Sequence, residues 1–595
     1  MPTPSKYQQA FYNEVENGTG NIALKARAGS GKTYSIIEAC KKLPYAKQVS
    51  TIVLAFNKAI QQEIEAKCKK EKLSITCKTT YSAAYSALAT CIGGRPNLDD
   101  SKYPKLIKEI MLDFGYKLSK DEDADDDNTP LYDALKESVR YCQLTLTDAT
   151  DIEAFEDMMN HYDIQYSDAE ELARITERVL EVGASQVKMI ISFTDMIWIP
   201  VRLGMACKKW DIIFVDECQD LSNCQREIVK KMCHATTRVI AVGDPQQAIM
   251  GFAGAGINSM QQIIDEFKCQ VMPLSICYRC PTSHLDRVRE IVPDIEDAPG
   301  AKLGTTIHCD SIESLPSLLN PADEPLVMCR INAPLIQLAF ELLAAGVPAT
   351  LKGRDLLGQL VNLAKQALGA TEGKRDEKKA VVDWRNFKTL LDSYVAKQVE
   401  ALNKKSGTEM RIQNLQDRAD SLNVVIGRAI ADPEWNLQTI KDLRNYLDKL
   451  YSPKRGVVTL ASVHKSKGLE AKVTVILGPE IMPHKMATVD WQKEQEQNLI
   501  YVAESRSMDT KIYCPLPKRN DDKKASKSKK SDASNTESKE DAPTKNRRAR
   551  RSKSATPIEV GVPALSPVYG DSSAINGLSL NDVSEYAEVI EEVVA

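Results

Sequence analysis

Apolar residues along this chain fall into two rhythms. Short runs at residues 21–25, 50–56, 212–215 and 239–242 read as strands, and the last two run into acidic residues. Unbroken apolar runs of this length suit parallel strands covered on both faces. Helices are expected over 32–43 and from the end of the second strand through Ile64. Strand, Gly-rich turn, helix and strand in succession is the grammar of a parallel sheet. Between 84 and 188 the pattern turns mainly helical, around an acidic run at 121–127 that reads as a solvated loop. A second cycle follows from about Pro273, with strands at 326–329, 457–460 and 473–477 around a polar helical stretch at 356–452.

The expected class is therefore α/β: two parallel-sheet domains, each split by a mainly helical insertion. The first domain would comprise residues 1–83 and 189–272, with 84–188 inserted. The second would comprise 273–355 and 453–516, with 356–452 inserted. After about Pro517 the composition changes: residues 518–556 are rich in Lys, Arg, Ser and Asp with almost no large apolar residues, and 517–595 is expected to be a disordered tail. Its last residues, 581–595, carry apolar side chains at helical spacing and read either as a short helix that docks a protein partner or as a frayed end. The basic cluster at 545–553 reads as a nucleic-acid tether, an import address or solvated tail.

Composition narrows the class further. A chain of 595 residues is too long for one core. Its net charge of -4 does not advertise a nucleic-acid partner, so any basic footprint must be local. No apolar run reaches the roughly 18 residues of a membrane span, and the N-terminus lacks the apolar segment of a secretion signal. Fifteen scattered cysteines then read as reduced thiols in a cytosol. Cys277 and Cys280 form one CxxC without a second ligand pair, which does not make a zinc site. The expected location is the cytoplasm, with a nuclear or virus-encoded protein as the open alternative.

Chemistry concentrates in three boxes. Residues 26–33, Ala-Arg-Ala-Gly-Ser-Gly-Lys-Thr, lie between a strand and a helix. Backbone N–H groups of such a loop, at a helix N-terminus, wrap phosphates. Ala28, Gly29, Ser30 and Gly31 would form the cradle, Lys32 would reach the β- and γ-phosphates, and Thr33 would hold Mg²⁺. Asp216 and Glu217 follow an apolar strand: one carboxylate to hold the metal, one to polarise a water. Gly243-Asp244-Pro245-Gln246-Gln247 ends a third strand, with Gln246 as candidate γ-phosphate sensor or as part of a simple turn.

Taken in order, these boxes resemble those of superfamily 1 helicases of the UvrD/Rep/PcrA group. Further stretches carry the same resemblance: 5–8, 56–59, 80–82, 193–197, Cys277-Tyr278-Arg279-Cys280, 463–470 and 498–506. The resemblance implies two RecA-like P-loop domains closing on ATP and Mg²⁺, with 3′ to 5′ movement along single-stranded DNA or at single/double-strand junctions. It implies that Gln8 reads the adenine, Tyr278 stacks on it and Glu470 touches the ribose. Arg279 and Arg506 would be arginine fingers. Phe56, Asn57, Tyr81, Phe252 and His464 would contact DNA, while Phe56 could equally be core. The chain departs from the family at Tyr34, Met250 and Ala253, where the family has Arg, Tyr and Arg. Two rival roles stay open: a helicase-like subunit dependent on a partner, and a translocase that grips or strips DNA without unwinding it.

Overall fold

Each apolar run found in the sequence overlaps a strand of one of two six-stranded parallel sheets. The computed structural model describes residues 3–116, 129–162, 164, 166–251, 254, 256, 258–352, 354–369, 381–403, 409–433, 435–451, 457–485, 487 and 490–517. The acidic run at 121–127, Phe252, Ala253 and the tail beyond Pro517 lie outside the described residues. Residues up to Leu516 belong to one unit.

The first sheet has the order Thr76–Thr79, Thr51–Ala55, Trp210–Val215, Cys233–Gly243, Ile22–Ala26, Gln270–Leu274. Its side chains alternate between two cores. Ala23, Ile52, Leu54, Ile213, Val215 and Ala241 face one. Ile22, Leu24, Val53, Phe214, Ile240 and Val242 face the other. Covering both faces explains why these strands carry no polar alternation. The edge strand Gln270–Leu274 pairs with Ile22–Ala26 through Leu274, so the first sheet runs two positions past the expected boundary at 272.

The second sheet has the order Thr305–His308, Ser507–Cys514, Ala471–Leu477, Leu326–Cys329, Val458–Ser462, Ala349–Leu351. It too is two-faced, with Val327, Leu460, Val475 and Ile512 on one side and Met328, Ala461, Ile476 and Tyr513 on the other. Between the sheets runs a short wedge, in which Ile276–Cys277 pairs with Glu296–Asp297.

Both insertions are helical. Lys102–Asp113, Thr129–Thr145, Ile152–His161 and Ala169–Ser185 build the first. A parallel bridge of Asn97–Leu98 with Ile190–Ile191 marks where the chain leaves and returns. The expected start at 84 falls inside the helix Thr80–Ile92, whose N-cap is Thr79 at a first-sheet strand end. Asp195, fully buried, ties insertion to core: it accepts from Lys102 Nζ at 2.5 Å, Tyr103 Oη at 2.7 Å, Gln143 Nε2 at 3.0 Å and Ser192 N at 2.9 Å. Arg354–Gly369, Phe387–Asn403, Glu409–Ala431 and Ile440–Tyr451 form the second insertion. There Asp417 accepts from Ala333 N at 3.0 Å, capping the helix Ala333–Ala344 beside the sheet. Among the described residues no helix is long and apolar enough to cross a membrane. All fifteen cysteines are free thiols.

Candidate functional site

Parallel strands deliver their carboxyl ends to one edge of a sheet, where ligands of such folds sit. The first sheet delivers the 26–33 loop, Phe56-Asn57, Tyr81, Asp216-Glu217 and Asp244 to that edge. The loop turns through Gly29 at φ +69° and Gly31 at φ +81°, backbone that favours glycine. A Cβ on Gly29 would come within 2.7 Å of Arg279 Cβ and 2.8 Å of Cys277 Sγ, so the wedge seals the loop from behind. Gly31 is the N-cap of the helix Lys32–Lys41, with Thr33 in its first turn. Ser30 Oγ is buried and, among the described residues, has no hydrogen-bond partner. An orphaned hydroxyl inside a positive-φ loop at a helix N-terminus fits an anionic ligand.

Charge in the cleft is arranged by sign. Glu217 sits at φ +49°, a left-handed position rare for a side-chain-bearing residue. That twist turns its carboxylate onto Lys32 Nζ, with which it pairs. Although burial opposes it, Lys32 holds the Glu217 carboxyl below its ordinary range. Burial, then the neighbouring Glu217 charge, pushes Asp216 up. The backbone N of Glu217 donates to Asp216 Oδ1 at 2.9 Å, which orients the Asp216 carboxylate.

Cations arrive from the second half. Arg506 is 1% exposed, and its guanidinium bonds Val502 O at 2.9 Å, Ser505 Oγ at 2.9 Å and Gln247 Oε1 at 3.4 Å. None of these partners carries charge. Burial, with Arg279 nearby, holds Arg506 down to about 10. Arg279 pairs with Glu470 at 2.5 Å and donates to Ser505 O at 3.2 Å. Lys467 pairs with buried Asp220 and donates to Gln247 O at 2.6 Å. Tyr501 Oη donates to Asp244 Oδ2 at 2.7 Å and accepts from Ala28 N at 2.7 Å, joining phosphate loop, first sheet and second half.

Gln246, the sensor expected from the sequence, is half-buried and bonded to Arg27, which also pairs with Asp244 at 3.1 Å and Asp294 at 2.6 Å. The 3₁₀ turn Pro245–Gln247 instead buries Gln247, which meets Arg506. Arg27, Gln247, Lys467 and Tyr501 lie within stretches singled out in the sequence and Asp220 just after Asp216 and Glu217; only their contacts, over 200 residues away in most cases, reveal their part.

On the opposite side of the loop, Gln8 is buried in a capping box with Ser5, and its Nε2 donates to Ser35 Oγ at 3.3 Å. Tyr278 is 48% exposed, and its backbone N donates to Gly29 O at 2.8 Å. The structure thus brings Gln8, Tyr278, Arg279 and Glu470 to one mouth of the loop.

The residues expected on DNA are placed less uniformly. Tyr81 stacks on Phe193 with centroids 4.2 Å apart and 17° between planes. Phe56 is half-buried, and Asn57 spends its Oδ1 capping the next helix, accepting from Ile60 N at 2.9 Å. His464 begins a 3₁₀ turn at the carboxyl edge of the second sheet, and burial, then Arg330, lowers it to about 3, so it is neutral.

Comparison with known proteins bears on this geometry. Residues 7–268 match the family model of the UvrD/REP helicase N-terminal domain. F-box DNA helicase protein 1 of Schizosaccharomyces pombe is 21% identical over 555 residues, covering 84% of this chain and 56% of the relative. ATP-dependent DNA helicase PcrA of Staphylococcus epidermidis is 21% identical over 406 residues, covering 52% and 55%. DNA helicase II of Escherichia coli is 29% identical over 113 residues, covering 19% and 16%. The chain thus spans little more than half the length of the first two of these relatives. The phosphate loop, the paired carboxylates and the Asp244 turn all lie inside the stretch, residues 7–268, that is similar to the UvrD/REP helicase N-terminal domain family.

Proposed function

We propose that this chain is an ATP-dependent DNA helicase or translocase that moves 3′ to 5′ on single-stranded DNA in replication, repair or recombination. One observation carries the reading: Arg506, a buried guanidinium bonded only to neutral groups, lies across the cleft from Lys32, Asp216 and Glu217. A buried cation without a counter-charge is costly unless a ligand supplies one. A planar fork suits the spread charge of a transferring phosphoryl group.

The residues present fit ATP and Mg²⁺. Lys32 exchanges Glu217 for the phosphates, and Thr33 and Asp216 would hold the metal. Glu217, freed from Lys32, takes the proton of the attacking water. Gln246 stays a candidate γ-phosphate sensor, and Gln247, bonded to Arg506, is a second that would link the phosphate to that guanidinium. Gln8 and Tyr278 bind the base and Glu470 the ribose, while Arg279 joins Arg506 over the phosphates. Bound Mg²⁺ supplies charge neutralisation between the phosphates. The names of the relatives, all DNA helicases, support DNA as the track. The carboxyl edges that carry Tyr81, Phe56 and His464 offer rings to its bases.

The test is ATP hydrolysis with and without single-stranded DNA and with Mg²⁺ removed by chelation. Strong stimulation by the strand, lost in Lys32→Ala and without the metal, is expected. Hydrolysis indifferent to DNA would overturn the motor reading. Tailed duplexes with the tail on either strand then read unwinding and direction.

A further inference from the structure

One helix, Asp490–Glu504, reaches both the nucleotide cleft and a group of aromatic rings at the surface. Near its C-terminal end Tyr501 grips Asp244 and the phosphate loop, and Arg506 follows directly. In its first turn Trp491 stacks on His161, with centroids 5.2 Å apart and 26° between planes. His161 is the last residue of the helix Ile152–His161 in the first insertion, so the two rings come from opposite halves. Tyr162 meets His161 edge-on at 4.7 Å and stacks on Tyr141 at 3.8 Å. His161 is exposed, Trp491 and Tyr162 are half-buried, and Tyr141 is buried beneath them.

Trp491 also lies over Gly251, where an added Cβ would stand 3.5 Å from its ring. Gly251 closes the stretch that begins at Asp244 and Gln247, and Asn498 of the same helix donates to Ala248 O at 3.0 Å. The helix is 15 residues long, about 22 Å. Its two ends therefore report to each other: a tilt that follows the contacts at Tyr501 and Arg506 moves Trp491 relative to His161.

We propose that Trp491 and His161 form a jaw that takes one base of a single strand between their rings. The rings now touch each other. A base between them needs two contacts of about 3.5 Å, or roughly 7 Å from ring to ring, so the jaw admits a base when the halves part by a small amount. Stacking between flat faces is indifferent to base identity, which suits a track of any sequence. The ring of His161 serves as a flat face, with Tyr162 set edge-on behind it to hold its plane. This inference rests on the strand-binding reading above and adds to it a grip point outside the residues that the sequence singled out.

The experiment uses the full chain and an oligonucleotide carrying a fluorescent purine analogue whose emission is quenched by stacking. Strand-stimulated ATP hydrolysis and quenching are measured for wild type, Trp491→Ala, Trp491→Phe and His161→Ala. Trp491→Ala is expected to raise the strand concentration at half-stimulation about tenfold and to lose the quench. Trp491→Phe keeps a ring and recovers most of both. Hydrolysis without the strand stays unchanged in all three, which also shows that the variants fold. Wild-type half-saturation and quenching in Trp491→Ala overturn the jaw alone. A wild type that neither binds nor responds to the strand overturns the motor reading and the jaw with it.

Discussion

The two halves share an architecture and divide the chemistry. Each is a six-stranded parallel sheet with two apolar faces and a helical insertion. Yet the first half brings mostly anions to the cleft, Asp216, Glu217, Asp220 and Asp244, together with the loop cations Arg27 and Lys32. The second brings mostly cations, Arg279, Lys467 and Arg506, beside the carboxylates Glu470 and Asp294. Ionic or strongly polar contacts between them include Lys467 with Asp220, Tyr501 with Asp244, Arg506 with Gln247, and Arg27 with Asp294. The same fold, used twice, becomes a site only where opposite charges meet. Either half alone would hold an unbalanced set of buried charges.

This division is tested most sharply at Arg506. Arg506→Ala is expected to lower the turnover of strand-stimulated ATP hydrolysis by about a thousandfold, the scale of an arginine finger. Nucleotide affinity, measured by titration of a fluorescent ATP analogue, should change far less. Arg506→Lys should fail to restore turnover, because an ammonium cannot reproduce the planar fork. Rates within a few-fold of wild type would show that the cation from the second half does not act on the reaction.

Next in size is the anionic side. Glu217→Gln keeps shape and removes the charge that pairs with Lys32. Its turnover should fall about a hundredfold, the usual scale for a lost general base, with nucleotide binding retained or tightened because Lys32 is released. A smaller contrast separates the two neighbouring glutamines. Gln247→Ala should cost about tenfold in turnover, since its carbonyl oxygen faces Arg506. Gln246→Ala, which loses a contact with Arg27, should cost less in turnover. The reverse order, read from the same steady-state assay, would assign the sensor role to Gln246.

How much of this could be read from the chain depends on how local each signal is. The phosphate loop, Asp216 with Glu217 and the central strands were legible because each is a contiguous run whose pattern is set by its own burial. Edge strands were not. Thr76–Thr79 is half-buried throughout, and Gln270–Leu274 is mostly exposed, so neither carries the apolar run that marks a central strand. Its Pro273 lies at the sheet edge, the one place where a missing N–H costs the ladder little. The choice between Gln246 and Gln247 was equally hidden. In a tight turn adjacent side chains point apart, and only the turn's packing decides which one faces inward. Tyr501 and Ala28 are 473 residues apart in sequence, and no local pattern announces their hydrogen bond.

The smallest expected effect tests whether burial, rather than ion pairing as such, makes the junction between the halves. Arg27 pairs with two carboxylates: Asp244, whose side chain is fully buried, and Asp294, whose side chain is 52% exposed. The exposed pair is screened by water, so Asp294→Ala should cost less than about 1 kcal/mol and shift the nucleotide concentration at half-maximal rate by only a few-fold. Asp294→Lys should do little more, because its ammonium can swing into solvent. Asp244 also receives Tyr501 Oη and Gln247 Nε2, each at 2.7 Å, so its removal would strand three buried donors at once. If Asp294→Ala instead proves as damaging as Asp244→Ala in thermal unfolding, the exposed bridge holds the halves together. The buried network would then be its consequence rather than its cause.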